Sequence, residues 1–434
     1  MNRPQNLEFD FAPAPARQPS RASSKPSFAQ QVLDFQEFGT ATTTLETEVH
    51  LAGGGTAKVP TFVNEFWTSR QRQANSLHEI SYRACFKPQL PRFFVERLTE
   101  PGEVVLDPFM GRGTTPLESA LLGRVPYGCD INPVSLQLTR PRLRPADPKE
   151  VEQRLNDIDL EANEEFPEDL LVFYHPETLR EICALKAYLL RRQKEARLDA
   201  LDDWIGMVSL NRLTGHSVGF LSVYTLPPNQ AVSVKAQLKI NKDRNQTPPR
   251  RSLRKIVNKK SRQLVSDCDP KTIRGLAEIA VKSKLIQGPA DRAPALPSNS
   301  AALVVTSPPF LDVVDYATDN WLRCWFLGMD ARSVALTTPK TLEVWEEAMT
   351  RVFVELHRIL RPGGHVAFEV GEVRAGSVRL EESVIRCALA AQFEPLLIMI
   401  NDQAFTKTAN CWGVSNNNKG TNTNRIALLR KTTG

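Results

Sequence analysis

Two short stretches of the 434-residue chain combine residue types that could do chemistry. The first is Asp107-Pro108-Phe109-Met110-Gly111-Arg112-Gly113-Thr114-Thr115. It follows the apolar run 104–106 and precedes a stretch with helical spacing, so it reads as the turn from a strand into a helix N-terminus. Gly111 and Gly113 allow backbone conformations closed to other residues and let a ligand approach the main chain. Glycines in such turns also occur for structural reasons alone. Asp130, closing the next apolar run about 20 residues further on, can accept hydrogen bonds from both hydroxyls of a ribose. The turn lacks the third glycine of a dinucleotide fingerprint and the Gly-Lys-Ser/Thr of a phosphate loop, so a nucleoside-type cofactor without pyrophosphate fits better than NAD or ATP. The second stretch is Thr306-Ser307-Pro308-Pro309-Phe310, after the buried strand 302–305. Two prolines stop strand pairing and fix the backbone. A serine hydroxyl and an oriented carbonyl can accept hydrogen bonds from an amino group, and Phe310 can stack on a flat heterocycle. A proline-rich loop that merely ends a strand is the plainer alternative.

The surrounding elements are those of an α/β sheet. Residues 103–107 and 124–130 read as strands, joined by the glycine turn and by a helix that ends at Gly123. After Pro145 the pattern becomes helical, with helices expected over 148–162, 175–193 and 198–213. The α/β pattern resumes with a helix at about 270–287, the strand before Ser307, a helix at about 342–360, an Arg-Pro-Gly-Gly turn, the strand 365–373 and a helix at about 380–391. Strands 394–401 and 424–431, joined by an Asn-rich loop, predict an antiparallel hairpin. The domain reading is a disordered tail over 1–40, a first sheet half over 60–145, an inserted helical and basic region over 146–268, and a second sheet half over 269–434. Order is expected to begin near Phe62–Trp67.

Net charge is +6, but its distribution is uneven. Lys235, Lys239, Lys242, Arg244, Arg250, Arg251, Arg254, Lys255, Lys259, Lys260 and Arg262 face a single acid, Asp243, so residues 235–262 carry +10 and the rest of the chain carries −4. Such a cluster can neutralise phosphates and supply salt-sensitive, sequence-independent binding to nucleic acid; a solvated basic loop is the alternative. Seven cysteines without a CxxC pair argue against a zinc site and a disulfide framework, and with them for a reducing cytoplasm. No metal is expected. No apolar run reaches the roughly 18 residues of a membrane span, and the first thirty residues do not read as a secretory signal.

Taken together, the glycine turn and the Ser-Pro-Pro-Phe turn resemble the DNA amino-methyltransferases, enzymes that use S-adenosylmethionine to methylate the exocyclic N4 of cytosine or N6 of adenine. DPFMGRGTT is similar to that family's cofactor loop and TSPPF to its catalytic motif. The stretch His78–Pro91 resembles the segment closing over the methionine end of the cofactor, and Leu360–Gly364 the turn before a late sheet strand. The resemblance covers about 76–145 and 286–431. It implies a Rossmann-like methyltransferase sheet with Ser307, Pro308, Pro309 and Phe310 as catalytic residues. It further implies cofactor contacts from Asp107, Phe109, Gly111, Gly113, Thr114, Asp130, Asp291, Phe86 and Lys87. The insert falls where the family usually houses target recognition, which makes the eleven basic residues candidate DNA contacts and double-stranded DNA the partner. A cognate restriction endonuclease is a further expected counterpart.

The amino nitrogen of a nucleobase is a poor nucleophile because its lone pair is delocalised into the ring. Hydrogen bonds to Ser307 and to the Pro308 carbonyl would favour a more tetrahedral nitrogen, in line with the sulfonium methyl. The base must leave the duplex to reach the site; Tyr316 and Trp321 are candidates to line the pocket, or simple core aromatics. His216 reads as structural. In the family, Ser at the first motif position usually accompanies cytosine N4 and Asp or Asn adenine N6, so Ser307 points to cytosine. The alternatives are an N6-adenine enzyme, an RNA methyltransferase, and a non-catalytic DNA-binding protein on the same scaffold.

Overall fold

The structure is a computed structural model that describes residues 26–51, 53–68, 74–82, 85–162, 165–225, 231–309, 316–334, 339, 341–371, 378–402 and 423–433. Among these, nine strands form one sheet: β1 (Thr43–His50), β2 (Thr56–Asn64), β3 (Val104–Asp107), β4 (Val125–Asp130), β5 (Lys284–Gln287), β6 (Ala301–Thr306), β7 (Leu360–Val370), β8 (Phe393–Asp402) and β9 (Thr423–Lys431). Their order is β1-β2-β8-β9-β7-β6-β3-β4-β5. β3 pairs in parallel with both β4 and β6, β4 with β5, and β6 with β7. The β8–β9 pair is antiparallel, as the Asn-rich connection predicted, and β9 also runs antiparallel to β7. The chain reverses direction across the sheet between β3 and β6, the switch point where open α/β sheets bind ligands.

The central strands are short, apolar and covered on both faces. Val105, Leu303, Val305 and Ala367 pack on one side against Phe93, Phe94 and Trp67. Leu106, Val304, Val366 and Phe368 pack on the other side, against Trp345, Phe353 and Val384. A third cluster fills the insert. Leu155, Leu179, Trp204, Leu253 and Leu264 are buried there and join Leu117 and Leu138 of the sheet half. Helices of the insert begin where capping chemistry places them: Asp147-Pro148, His175-Pro176, and Asp199 with a reciprocal Asp202 capping box.

Three features differ from the sequence reading, and a fourth adds detail to it. Helix Phe28–Leu33 lies within the stretch expected to be disordered; Val32 and Phe35 are buried against Phe66 and Phe93. An antiparallel pair, β1–β2, precedes Phe66, and β2 joins β8 in parallel. The helix expected to reach 287 ends at Lys282, and β5 follows it at the sheet edge. The basic segment forms two capped helices, Val234–Asp243 and Leu253–Leu264, whose apolar residues anchor them to the insert core. No helix among the described residues is long and apolar enough to cross a membrane.

Candidate active site

Parallel pairing of β3 with β6 brings the two sequence motifs to one edge of the sheet. Asp107 ends β3 fully buried, and Thr306 ends β6. The Thr306 hydroxyl donates to Asp107 Oδ1 at 2.6 Å, and the Phe109 backbone N–H donates to the same oxygen at 3.1 Å. Thr115, in the first turn of helix Thr114–Leu121, donates to the Val305 carbonyl at 3.0 Å. Asp107 Oδ2 is buried with no partner among the described residues. Burial pushes the Asp107 carboxyl up to about 7, against the lowering effect of the Thr306 and Phe109 hydrogen bonds. A desolvated carboxylate with one free oxygen is suited to an incoming ammonium, which would satisfy the lone pairs and restore the charge.

The glycine turn is held from three sides. Gly111 and Gly113 adopt φ +49° and +74°. At Gly113 a side chain would also collide with Thr139. Asp130, half-buried at the end of β4, accepts from the Gly111 N–H and the Asn132 N–H, both at 2.8 Å. Burial raises its carboxyl pKa. With one backbone donor on each oxygen, further lone pairs remain for a pair of hydroxyls. Phe109 is partly exposed beside Asp107, whereas the buried Thr114 hydroxyl accepts from Arg112 Nε at 3.1 Å. Arg112 also donates to the Ile80 carbonyl at 3.0 Å, tying the upstream segment to the turn. Tyr82, to which the sequence reading gave no individual role, covers the turn. A Cβ placed at Gly111 would lie 3.7 Å from its ring, and its hydroxyl accepts from Asn132 Nδ2 at 3.1 Å.

The remaining cofactor candidates are placed less uniformly. Phe86 is partly buried against the aromatic cluster, and Lys87 is exposed, with desolvation lowering its pKa. Asp291 follows Gly288, whose N–H donates to the Asp130 carbonyl at 3.0 Å, so its segment adjoins the ribose-type acid. Its own carboxylate pairs with Arg351 at 3.3 Å.

On the β6 side, Ser307 and Pro309 are partly exposed and Pro308 is buried. The Pro309 carbonyl accepts from Trp345 Nε1 at 3.0 Å, a lock on the turn that the sequence reading missed. It missed Glu369 as well. This residue lies on β7, beside the Thr306–Phe368 pair, and is 5% exposed. Asn424 Nδ2 on β9 donates to its Oε1 at 2.8 Å, and the neighbouring Ser307 side chain acts to lower its pKa. Burial raises the Glu369 carboxyl pKa. Phe310 and the side chain of Tyr316 lie outside the described residues; Trp321 is partly buried and touches Phe173 at a ring separation of 6.0 Å.

The basic segment divides into cations consumed internally and cations facing solvent. Arg254 donates to the carbonyls of Leu155 and Ile158, both at 2.9 Å, and Lys260 is 6% exposed with its ammonium pushed down to about 8 by burial. These two cannot serve as free phosphate contacts, a correction to the even-handed count of eleven. Lys239 pairs with Asp243, Arg250 with Glu177 and Arg262 with Glu152. Arg244 stacks on Tyr224, 3.8 Å from the ring centroid. Arg251 is partly buried, and desolvation lowers its pKa. Lys235, Lys242, Lys255 and Lys259 are exposed, with no ion pair to a described acid.

Comparison with known proteins agrees with the motif reading. Residues 21–140 match the family model described as DNA methylase, of the N6/N4 type. The chain is 31% identical over 103 residues to the type II methyltransferase M.MjaII of Methanocaldococcus jannaschii, covering 24% of this chain and 19% of that protein. It is 22% identical over 361 residues to the type II methyltransferase M.BsoBI of Geobacillus stearothermophilus, covering 76% and 67%. The chain thus spans about a fifth of the first relative. Among solved structures, TrmN from Thermus thermophilus matches at a TM-score of 0.31 and 14% identity, over 80% of this chain and 50% of that one.

Proposed function

We propose that this chain, whose residues 21–140 match the DNA methylase family model of the N6/N4 type, transfers a methyl group from S-adenosylmethionine to the exocyclic N4 of cytosine in duplex DNA, acting on a flipped-out base. The single observation that carries this reading is the Thr306–Asp107 hydrogen bond, which joins the glycine turn to the Ser-Pro-Pro turn. A cofactor held over Gly111 and a base held at Ser307 would then share one sheet edge. The residues fit the cofactor's parts: Asp107 Oδ2 is free for its ammonium, and Asp130 faces the turn with acceptors for its ribose. Tyr82 roofs Gly111. When bound, the cofactor supplies an activated methyl on a sulfonium.

The chain's own work is to position the amine and take its proton. With its hydroxyl proton turned toward the neighbouring Glu369 carboxylate, Ser307 would offer its lone pairs to the amine. The Pro308 carbonyl offers a second acceptor, in a turn fixed by two prolines and by Trp345. Ser307 Oγ would receive the amine proton and pass its own to the Glu369 carboxylate, so that the methylated amine is left neutral. The raised pKa of the buried carboxyl makes it a competent acceptor. Cytosine is favoured over adenine by the serine at position 307. The exposed lysines of the insert would hold the phosphate backbone, and a restriction endonuclease reading the same sequence would be the functional counterpart.

Expression in a methylation-deficient bacterial host, followed by methylation-sensitive sequencing of its genome, tests this. N4-methylcytosine at one recurring sequence is the expected result. N6-methyladenine there would overturn the base assignment, methylation confined to RNA would overturn the substrate, and no methylation with intact DNA binding would favour a non-catalytic scaffold.

A further inference from the structure

The seam between the insert and the sheet half holds a second cavity with ligand-binding character. Helix Tyr316–Phe326, which follows the Ser-Pro-Pro turn in the chain, places Trp321 and Trp325 one helical turn apart on the wall of a cavity of about 710 Å³. That volume falls in the range of small-ligand sites, roughly 300–1,000 Å³. The insert supplies Lys186, on helix Pro176–Lys194, and Val234, at the start of helix Val234–Asp243; Asp330 and Arg332 complete the part of the lining that matters here. The Lys186 ammonium stands 4.4 Å from the Trp325 ring centroid, and partial burial lowers its pKa. Trp321 Nε1 is buried with no acceptor among the described residues. Asp330, the only acid in the described lining, already accepts from the Arg332 N–H at 2.9 Å. Ser307, Pro308, Asp107 and Glu369 are not part of this lining.

Paired indoles offer flat apolar area, two cations outnumber one engaged carboxylate, and an indole N–H has no acceptor among the described residues. A nucleotide matches all three, whereas a bare phosphate would leave the aromatic wall unused. We propose that this cavity receives a second nucleotide of the bound DNA, its base stacked on Trp321 and Trp325 and its phosphate held by Lys186 and Arg332. The inference rests on the DNA methyltransferase reading and adds a second protein–base contact to it. Exposed Lys235 and Lys242, on the helix that begins at Val234, extend the cationic path away from the cavity. Base–aromatic stacking of this kind is sequence-tolerant, so the cavity would hold an extruded or splayed neighbour rather than read its identity.

The test uses the full chain with a random-sequence 30-base-pair duplex pool in which thymine is partly replaced by 5-iodouracil. Ultraviolet cross-linking followed by peptide mass spectrometry is expected to find adducts on Trp321 or Trp325. Trp325→Leu and Lys186→Gln should each weaken binding of the pool on the order of tenfold, and Trp325→Phe should restore most of the loss. Cofactor binding by each variant reports on its fold. A wild-type protein that binds duplex and transfers methyl groups, yet cross-links elsewhere and loses nothing in Trp325→Leu, would overturn the cavity while leaving the methyltransferase reading intact. A wild-type protein that binds no DNA would overturn both.

Discussion

The sheet edge and the insert handle buried and charged groups in opposite ways. At the sheet edge Asp107 is fully buried with one oxygen unpaired, Asp130 and Glu369 are desolvated, and no cation among the described residues pairs with them. In the insert many charges are satisfied internally. Asp202, fully enclosed, accepts from Arg154 at 2.5 Å and Arg192 at 2.6 Å while it caps its own helix. Arg250 and Arg262 have acids, and Arg254 has carbonyls. A fold that leaves carboxylates uncompensated at the end of a parallel sheet holds a cost that a ligand can relieve. A fold that cancels its charges has mostly used them for architecture. Charge density in the sequence therefore overstates the DNA-facing surface, and a handful of acids understates the reaction site.

That contrast can be broken most forcefully at Glu369. Glu369→Gln keeps the shape and an acceptor for Ser307 but cannot take a proton. Single-turnover methyl transfer should fall about 10²-fold, with DNA affinity unchanged. In the wild type the rate should climb as pH rises through the raised carboxyl pKa, and the variant should lack that limb. An unchanged rate and profile would reduce Glu369 to packing.

Asp107→Asn sharpens the comparison from the other side. Burial raises the folded carboxyl from 3.8 to about 7, so the folded chain holds this proton more tightly than the unfolded one. The stability it contributes is full below about pH 4 and lost as pH rises toward and past 7. At pH 8 the asparagine variant, which keeps an acceptor for Thr306 and Phe109, should be more stable than wild type by about 1 kcal/mol in thermal denaturation. Calorimetry should show it binding S-adenosylmethionine about tenfold more weakly, since the ammonium loses its counter-charge. Greater stability with undiminished cofactor binding would remove Asp107 from the site.

The smallest effect is expected among the insert lysines. Lys255→Gln with Lys259→Gln should lower the salt dependence of DNA binding by about two counterions. Arg254→Gln should leave that slope alone and instead cost about 1–2 kcal/mol of stability, because two carbonyls lose their donor. Equal slopes for both variants would erase the division between facing and structural cations.

The parts of the fold legible in the sequence were those with local signatures. Helix Pro176–Lys194 is announced by His175-Pro176, and β6 by an unbroken apolar run before two prolines. The β8–β9 pairing follows from two apolar runs around a polar connection. β5 was not legible, because Lys284–Gln287 continues an amphipathic helix with only Ser283 between them and becomes a strand by pairing with β4. β1 was hidden by Thr and Glu on an exposed edge strand. Within the site, the glycine turn and Ser307 stand in recognisable motifs, whereas Glu369 is a lone acid in an apolar strand. Its partner Asn424 and its neighbour Ser307 lie far away in sequence, so only the sheet register reveals it. The same holds for Arg254 and Lys260, whose partners are set by tertiary packing.

The account depends above all on Ser307 acting on an amine beside a cofactor seated on the glycine turn. Radiolabelled methyl transfer from S-adenosylmethionine to duplex DNA, with the product nucleoside identified by mass spectrometry, addresses that directly in wild type and Ser307→Ala. The account predicts labelled N4-methylcytosine from the wild type. It predicts a loss of about 10²–10³-fold in the variant, with equal cofactor affinity in both. Transfer at the wild-type rate by Ser307→Ala would contradict it.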